Sequence, residues 1–418
     1  MKKQETTLKV RKGLSMNHNE TALKVCKGLS MNHNESALKV HKGTWLNHNQ
    51  SMLMLRKRVN MLQKVFAVVI VLAVMVTQWG STIGSVKAAQ CTAAQGQLFI
   101  DSGQYKKAIQ EFTCIIDAQP TEVEGYRGRI EAQLLLGQYS NALADNGRIT
   151  AFVLPVHPDA KNTIFAGYAD RLAAAPQDVV ALTGASFSRW TSFDYAAAIH
   201  LLNQLLALQP ASPYGNLFRG SSRLLHHANK VNGIADLDYG IALAPQSADV
   251  RFIVADAYTY GLPDPERAFA EASLALDWGL DTPRVHAILA TSYAAFGDQL
   301  AAAAEIQTHI ELVTTEYLPA SPLDAGDSLS LDLVPGRTYD IPMTVTSGET
   351  LSIMTGSPDF WDTILVLLAP DGTPVLGSDD YQFYYAGFEW VAPATGTYHL
   401  QVTSFESIDT GELVVARD

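Results

Sequence analysis

The sequence of 418 residues has few cysteines and none of the short motifs that commonly carry catalytic chemistry. Its three cysteines, Cys26, Cys91 and Cys114, are too few for a disulfide-rich fold. It contains no G-x-S-x-G elbow, no H-E-x-x-H pair, no glycine-rich phosphate loop and no C-x-x-C pair. Isolated histidines on helices are more typical of surface or packing positions than of ligands. An enzyme of a motif-bearing class is therefore disfavoured.

Cations are almost absent from the last hundred residues, where Arg337 and Arg417 are the only ones. The whole chain has 30 Lys and Arg against 42 Asp and Glu, and nearly half of the cations lie in the first 90 residues. The rest of the chain is therefore strongly acidic. Because acidic surfaces repel phosphate backbones, we expect no nucleic-acid partner. Cationic partners, or calcium held by carboxylates, are compatible with this charge.

No apolar run reaches the ~20 residues that a transmembrane helix needs. The longest, VFAVVIVLAVMV over residues 65–76, follows the basic stretch RKRVNMLQK and precedes a polar segment. With small residues around Ala88-Ala89, this order predicts a signal peptide over residues 52–89, cleavage there and a secreted, extracytoplasmic product. A retained signal anchor is the alternative. Export or that anchor is the only membrane relation that the sequence predicts.

Residues 1–51 contain a tandem repeat with a period of 15, as in ETTLKVRKGLSMNHN and ETALKVCKGLSMNHN. Each copy holds a glycine and an Asn-His-Asn cluster, which break a helix. The clusters of His18, His33 and His48 could bind a metal. The alternative is a disordered duplication upstream of the true start, at Met52 or a later methionine. This segment is excluded from the fold prediction.

A second repeat has a period of about 34 residues. The tripeptide Gly-Gln-Tyr begins at Gly103 and again at Gly137, and later segments end at Pro210 and Pro245. A small residue recurs five positions after each glycine or its equivalent: Ala108, Ala142, Ala198, Gly233, Ala268 and Ala302. Small residues allow paired helices to approach closely, and an aromatic and a closing proline complete several copies.

This pattern resembles the tetratricopeptide repeat. The resemblance implies a right-handed α-solenoid of helix-turn-helix repeats over residues 90–318, with Gly103 and Gly137 at turns and Tyr105 and Tyr139 opening second helices. The segment 155–176 breaks the register and leaves room for one helix. A generic bundle of alanine-rich helices is the alternative.

The resemblance also implies that the first helix of each repeat lines a concave groove that binds a protein or peptide. The candidate groove residues are Tyr126, Arg129, Phe187, Trp190 and Phe218. Arg129 has the geometry to bind a carboxylate. The alternative is that the aromatic side chains only pack between helices.

Cys91 and Cys114 fall near the start of the first helix and the end of the second helix of the first repeat. Antiparallel helices bring those ends together, and an exported protein permits a disulfide. Helix axes ~9 Å apart are wide for that bond, so two free buried thiols remain the alternative.

After residue 318 the helical period gives way to short alternating runs separated by Gly, Pro and Asp. We expect a linker over residues 319–334 and an all-β, jelly-roll-like sandwich over residues 335–418. Asp371-Gly372 is predicted to close a hairpin. The fold class is therefore α + β multidomain.

The order of motifs in this segment is Asp362-Thr363, an aliphatic strand, Pro370-Asp371-Gly372, Asp379-Asp380 and Ala394–Tyr398. It resembles the bacterial pre-peptidase C-terminal domain and departs from it at Tyr381–Glu389. The resemblance implies a secreted, non-catalytic accessory sandwich, often attached to peptidases and sometimes a calcium or polymer binder.

Calcium is the one cofactor that the sequence suggests, with carboxylates from Asp359, Asp362, Asp371, Asp379 and Asp380 as candidate ligands. The alternative is that these aspartates only shape turns. Nearby aromatic residues form either a contact patch or part of the core: Phe383, Tyr384, Tyr385, Phe388 and Trp390.

Two functions are compatible with these observations. The first is an exported, non-enzymatic scaffold whose solenoid binds a protein and whose sandwich binds or anchors to extracellular polymer or protein. The alternative is a secreted hydrolase or peptidase, or an accessory or regulatory subunit of one. A cluster of catalytic or metal-ligating side chains would favour the alternative.

Overall fold

A computed structural model of the chain describes residues 91–227, 229–356, 362–379, 386–405 and 411–417. The predicted signal peptide and the 15-residue repeats lie outside these residues. The described α-helices are α1 (Ala93–Asp101), α2 (Tyr105–Ala118), α3 (Val123–Leu136), α4 (Tyr139–Arg148), α5 (Ala160–Ala174), α6 (Val179–Thr191), α7 (Tyr195–Leu208), α8 (Pro213–Leu225), α9 (Lys230–Leu243), α10 (Ala248–Asp256), α11 (Pro265–Asp277), α12 (Pro283–Ala295) and α13 (Gln299–Val313). Two π-helical segments follow α4 and α10, at Ile149–Val153 and Ala257–Gly261.

The helices form a solenoid of antiparallel pairs, as the period of 34 predicts. The pairs are α1–α2, α3–α4, α6–α7, α8–α9, α10–α11 and α12–α13. Helix α5 is the single helix expected in segment 155–176. Within the described part of the chain, no helix combines the length and the apolar character that crossing a bilayer requires.

The turns inside the pairs follow from glycine. Gly103 and Gly137 have φ of 70° and 82°, a left-handed conformation that is unstrained only for a residue without a Cβ. In each turn the following glutamine N–H donates back to a carbonyl of the first helix, Gln104 to Phe99 (2.7 Å) and Gln138 to Gln133 (2.9 Å). The second helices begin at Tyr105 and Tyr139, as predicted.

The predicted small residues lie at the contacts between paired helices, and all of them are buried. Phe112 of α2 shows how tight this packing is, because its ring is fully buried between Gly96 of α1 and Gly128 of α3. A continuous hydrophobic core extends from Ile116 to Leu289 through the stacked pairs. Stacking of this kind buries the apolar faces that a single pair would expose.

Helix α4 departs from a simple stack of neighbours. It packs on its partner α3 and also contacts α10, three pairs further along the chain. Ser140 donates from its backbone N and its Oγ to the same Asp249 oxygen, each over 2.7 Å. The π-helical segment after α4 and the extra helix α5 separate α4 from α6.

Nine β-strands form the C-terminal sandwich in the described residues. They are β1 (Glu316–Pro319), β2 (Ser328–Leu333), β3 (Arg337–Val345), β4 (Thr350–Gly356), β5 (Thr363–Leu368), β6 (Pro374–Ser378), β7 (Gly387–Val391), β8 (Gly396–Ser404) and β9 (Gly411–Arg417). One sheet has the order β1-β3-β8-β5-β6 and the other β2-β9-β4-β7. Strand β1 pairs in parallel with β3, and the other pairings are antiparallel. Asp371-Gly372 closes the β5–β6 hairpin, as predicted.

The predicted linker 319–334 needs correction, because most of it belongs to the sandwich. Strand β1 begins at Glu316, three residues after α13 ends, and β2 pairs with β9 over its whole length. The alternation Ser-Leu-Ser-Leu-Asp-Leu gives β2 one apolar face, which packs on the sandwich core. The helices and the sandwich therefore adjoin without a spacer.

The last helix of the solenoid is covered by the sandwich. Ile306 and Ile310 of α13 share a buried apolar cluster with Ile364 and Val366 of β5 and with Phe405. Gly377 of β6 lies against Ile306 so closely that a Cβ there would be 2.8 Å from the Ile306 side chain. This contact closes the apolar end that a stack of helices would otherwise expose.

Candidate functional site

The candidate groove aromatics form one cluster in the solenoid core. The Phe218 ring lies 4.5 Å from Tyr214, 5.3 Å from Trp190, 5.6 Å from Tyr139 and 6.0 Å from Phe187, measured between centroids. Phe187, Trp190 and Phe218 are at most 6% exposed. Burial raises the pKa values of the Tyr139 and Tyr214 hydroxyls.

Helix α4 packs beside these rings. Tyr139, its first residue, contacts Tyr214 and Phe218, and Ser140 is bonded to Asp249. The prediction that Phe187, Trp190 and Phe218 face a ligand is thus corrected. These side chains instead pack between helices, which is the alternative that the sequence left open.

Arg129 does bind a carboxylate, but one of the chain itself. Its Nε and Nη2 donate to the two oxygens of Asp145, each over 2.7 Å, and its guanidinium lies 5.7 Å from the Tyr126 ring centroid. Asp145 is fully buried and also accepts from Gln133 and Arg148. Tyr126 is 2% exposed, and burial raises its pKa. Neither Arg129 nor Tyr126 is available to a ligand.

The Arg129–Asp145 pair belongs to a recurring set that the sequence analysis missed. An acidic residue stands three positions after the small residue of five of the six pairs: Glu111, Asp145, Asp236, Glu271 and Glu305. Four of them contact a cationic or histidine side chain on the first helix of their own pair. These contacts are Asp145–Arg129, Asp236–Arg219, Glu271–Arg251 and Glu305–His286. The period of 34 or 35 was the signal that could have revealed them.

An open cleft of about 420 Å³ lies between α1, α3, α5 and the start of α6. Its charged lining residues are Asp101, Glu124, Arg127, Arg171 and Asp178. Arg127 pairs with Glu124, and Arg171 pairs with Asp178.

Buried Glu131 lies behind this cleft and contacts both Arg127 and Arg171. Burial raises the pKa of Glu131 against the opposing effect of the two guanidinium groups, and burial and Glu131 raise the pKa of Tyr168. Both arginines of the cleft are thus paired with carboxylates of the chain itself. A second cleft, of about 470 Å³, lies between α7, α8 and α9 beside Arg219 and Tyr239.

Cys91 and Cys114 are joined by a disulfide in the structure, with their Cα atoms 6.2 Å apart. The bond ties Cys91, which precedes the N-cap residue of α1, to the second half of α2. Thr92 begins α1 as its N-cap, and its backbone N donates to Glu111 over 2.9 Å. The start of the solenoid is thereby fixed by one covalent and one polar contact.

Of the predicted calcium ligands that the structure describes, Asp371 lies at the opposite end of the β5–β6 hairpin from Asp362 and Asp379. The Asp371 carboxylate accepts from Thr373 N over 3.0 Å, which lowers the pKa of Asp371, and it shapes the β5–β6 hairpin. The backbone carbonyl of Asp362 accepts from Phe405 N over 2.9 Å, and Asp379 follows β6. Asp359 and Asp380 lie outside the described residues. Among the residues that the structure does describe, no group of three or more His, Cys, Asp or Glu side chains is placed to hold a metal ion.

The aromatic patch predicted near the same loop is described only in part, because Phe383, Tyr384 and Tyr385 lie outside the described residues. Phe388 of β7 is buried in the sandwich core, and Trp390 packs against Tyr398 with their ring centroids 5.3 Å apart. These two aromatics are therefore packing residues.

His309 lies at the contact between the solenoid and the sandwich and is fully buried. Its Nδ1 is 2.8 Å from the carbonyl oxygen of Pro283, and its Nε2 is 2.6 Å from that of Phe405. Two carbonyl partners favour the imidazolium, but burial is the larger effect and lowers the pKa of His309 to about 4. The neutral ring has a single N–H and can donate to only one of these two carbonyl oxygens, on α12 or at the end of β8.

Comparison with known proteins finds likeness of fold. No family model matches the sequence, and no curated protein matches it. Solved structures match both parts of the chain. The pre-peptidase C-terminal domain of a collagenase from Bacillus anthracis is 13% identical, and the match covers 25% of this chain and all of that one, with a TM-score of 0.22.

The helical part matches tetratricopeptide repeat proteins. One from Thermus thermophilus is 19% identical, with 44% of this chain and 91% of that chain covered and a TM-score of 0.34. Another from Parabacteroides merdae is 16% identical, with 54% and 78% covered and a TM-score of 0.33. The chain is therefore similar to tetratricopeptide repeat proteins in its helices and to a pre-peptidase C-terminal domain in its sandwich.

Proposed function

We propose that this chain is an exported, non-enzymatic scaffold whose solenoid binds a protein partner and whose sandwich binds or anchors to extracellular polymer or protein. The observation that carries the proposal is the unbroken core of stacked helix pairs, capped directly by the sandwich. A rigid stack of this kind offers long surfaces rather than an enclosed pocket.

The engagement of the buried carboxylates supports a non-enzymatic role. Glu131, Asp145, Asp236, Asp256 and Glu271 are each paired with at least one arginine of the same chain. A general acid or base must instead be free to exchange a proton with substrate. These pairs hold helices together, and the proposed function requires no cofactor. Calcium binding by the sandwich stays a prediction.

The disulfide between Cys91 and Cys114 supports export, because such bonds persist in oxidising compartments. Cys26 precedes the predicted signal peptide and would be removed with it. We therefore expect unreduced, denatured protein from the culture medium to contain no reactive thiol. Two reactive thiols per chain would contradict the disulfide.

The test of the proposed function is affinity capture with the tagged chain. The source cells are separated into medium, envelope and cytosol, and proteins bound to the chain in each fraction are identified against the tag alone. We expect the chain in the medium or envelope with a protein bound in stoichiometric amount. A cytosolic chain contradicts export, absence of any partner contradicts the scaffold, and hydrolase activity of the purified chain favours the alternative.

A further inference from the structure

Large apolar side chains are exposed at four successive turns between paired helices. Phe193 is 75% exposed after α6, and Val231 is 77% exposed at the start of α9. Tyr260 precedes α11, and Phe296 and Leu300 flank the turn between α12 and α13. Because stacked pairs repeat one geometry, these turns follow one another along one edge of the solenoid. We call these five residues the turn edge.

Phe193 has a backbone conformation that favours glycine. Its φ is 61°, in the left-handed region that bulky residues rarely adopt. Phe193 N donates to Trp190 O and Asp194 N to Arg189 O, over 3.1 and 3.0 Å. The turn at Gly297 has the same two bonds and the same sign of φ. The chain thus makes this turn with glycine elsewhere and with phenylalanine here.

The fold gains little from the Phe193 ring. Its ring contact is edge-on to Tyr195, with the centroids 6.2 Å apart, and most of its surface faces solvent. Strained residues of this kind persist where binding or catalysis requires them. An exposed aromatic ring is the typical anchor of a protein interface.

The polar groups beside the turn edge are mostly acidic. Asp194, Asp264 and Asp298 are the N-caps of α7, α11 and α13, and Glu266 follows in the first turn of α11. The cations at these turns include Lys230, the first residue of α9, and Arg189, which pairs with Asp194 over 3.1 Å. A second copy of the chain would bring like charges together, and anionic lipid would be repelled. A partner with basic residues would be attracted.

We propose that the turn edge is a docking surface for a protein segment whose apolar side chains are flanked by lysine or arginine, with Phe193 as its anchor. This inference rests on the proposed scaffold function and names the surface and the class of partner. The apolar residues supply contact area, and the N-cap aspartates select the positive charge.

The test uses fluorescein-labelled synthetic helical peptides of about five turns and the full chain, with fluorescence anisotropy as the readout. One peptide carries leucine on one face and lysine elsewhere. The controls replace every lysine by glutamate or every leucine by serine. Of these three peptides, we expect only the Leu–Lys peptide to bind, and we expect its affinity to fall as salt is added. We expect Phe193→Gly to weaken its binding at least about tenfold.

The same substitution has an opposite effect on stability. Because glycine is unstrained at this φ, we expect the melting temperature of Phe193→Gly to rise by about 2–4 °C. If Phe193→Gly is less stable than the parent chain, Phe193→Asn replaces it, since asparagine tolerates the left-handed region. Leu98→Ser, which removes an exposed apolar side chain of α1 away from the turn edge, should leave binding unchanged.

Several outcomes would overturn the inference. These are equal binding of Leu–Lys peptide by the parent chain and Phe193→Gly, equal binding of the Leu–Glu peptide, or no binding at all. Self-association or binding to anionic vesicles that depends on Phe193 would also overturn it, in favour of a second copy or a membrane. If a secreted partner is captured equally well by Phe193→Gly, the scaffold function stands and the turn edge is rejected.

Discussion

At Asp145 the chain removes a carboxylate from water and surrounds it with donors. Two guanidinium groups and one amide contact it, and Arg129 alone supplies two hydrogen bonds. We expect Asp145→Asn to lower the free energy of unfolding by about 3 kcal/mol, because Arg129 is left buried without its counter-charge. Urea denaturation at pH 7 measures this change.

The matched control is Asp238→Asn. Asp238 also pairs with an arginine, Arg267, but its side chain is 53% exposed. We expect this variant to lose less than about 1 kcal/mol, since water screens an exposed pair. Equal losses in the two variants would show that burial does not decide the strength of these ion pairs.

His309 makes the free energy of unfolding depend on pH. Its pKa is lowered by burial to about 4 in the folded chain, whereas an unfolded histidine titrates near 6.5. The unfolded state therefore binds more protons between pH 6.5 and 4, and stability falls as the pH falls through that window. We expect a loss of about 2–3 kcal/mol at pH 4, which His309→Gln would largely abolish.

Urea denaturation of both proteins at pH 7 and at pH 4.5 measures this difference, and carboxylates common to both cancel. The pKa of His286 shifts in the opposite direction, upward. Burial opposes its charge, but Glu305 and Asp281 outweigh burial and raise its pKa, so its contribution is lost as the pH rises through the folded value. An identical acid dependence in the parent chain and His309→Gln would contradict the assignment to His309.

Residue chemistry was easier to predict than residue partners. The sequence indicated that Arg129 could bind a carboxylate of a ligand, and the carboxylate that it contacts is Asp145 on the paired helix. Nothing in a single sequence separates an aromatic that faces a ligand from one that packs on a neighbouring pair, as Phe218 does. The periodic acids are visible in the sequence three positions after the small residues, but the sequence alone does not show that they contact the first helix of their own pair.

At the scale of elements, glycine sets how closely the first three helices approach. A Cβ on Gly128 of α3 would lie 2.1 Å from the Phe112 ring, which is fully buried and cannot move away. We expect Gly128→Ala to destabilise the chain by roughly 1–3 kcal/mol through overpacking. Thermal unfolding followed by circular dichroism at 222 nm measures the change.

Gly167 of α5 is the matched control. It lies in an α-helix, and a Cβ there would meet open space. We expect Gly167→Ala to stabilise the chain by about 0.5–1 kcal/mol, because alanine loses less backbone entropy in a helix. Destabilisation of similar size in both variants would mean that the close contact with Phe112 is not the cause.

Elements with a strong period were predictable, and elements defined by distant contacts were not. The alternation in β2 is readable in the sequence, yet the strand falls within the segment that was predicted to be a linker. The single helix in segment 155–176 was expected from the lost register. The contact of α4 with α10 was not, because Ser140 and Asp249 are 109 residues apart and neither belongs to a repeat motif.

At the scale of the whole molecule, the solenoid and the sandwich share a buried apolar cluster, so we expect them to unfold in one calorimetric transition. Gly377→Ala would place a methyl group 2.8 Å from the Ile306 side chain and disturb this contact. We expect the variant to lower the transition temperature by several degrees or split it in two. Differential scanning calorimetry measures both effects.

Gly356→Ala is the control for this variant, because Gly356 is likewise a strand glycine, the last residue of β4, and a Cβ there would meet open space. We expect a single transition close to that of the parent chain. Two separate transitions in the parent chain itself would contradict the shared apolar cluster.

The hydrogen bonds between Ser140 and Asp249 join two distant helix pairs of the solenoid. In an open array each repeat touches only its neighbours, so growth and unfolding can proceed from either end one unit at a time. Here the second pair is fastened to the fifth, and the pairs between them are enclosed in a loop. Such a loop raises the mean separation of contacting residues, which slows folding. It also fixes the number of repeats, because a helix pair inserted between the second and the fifth would move Ser140 away from Asp249.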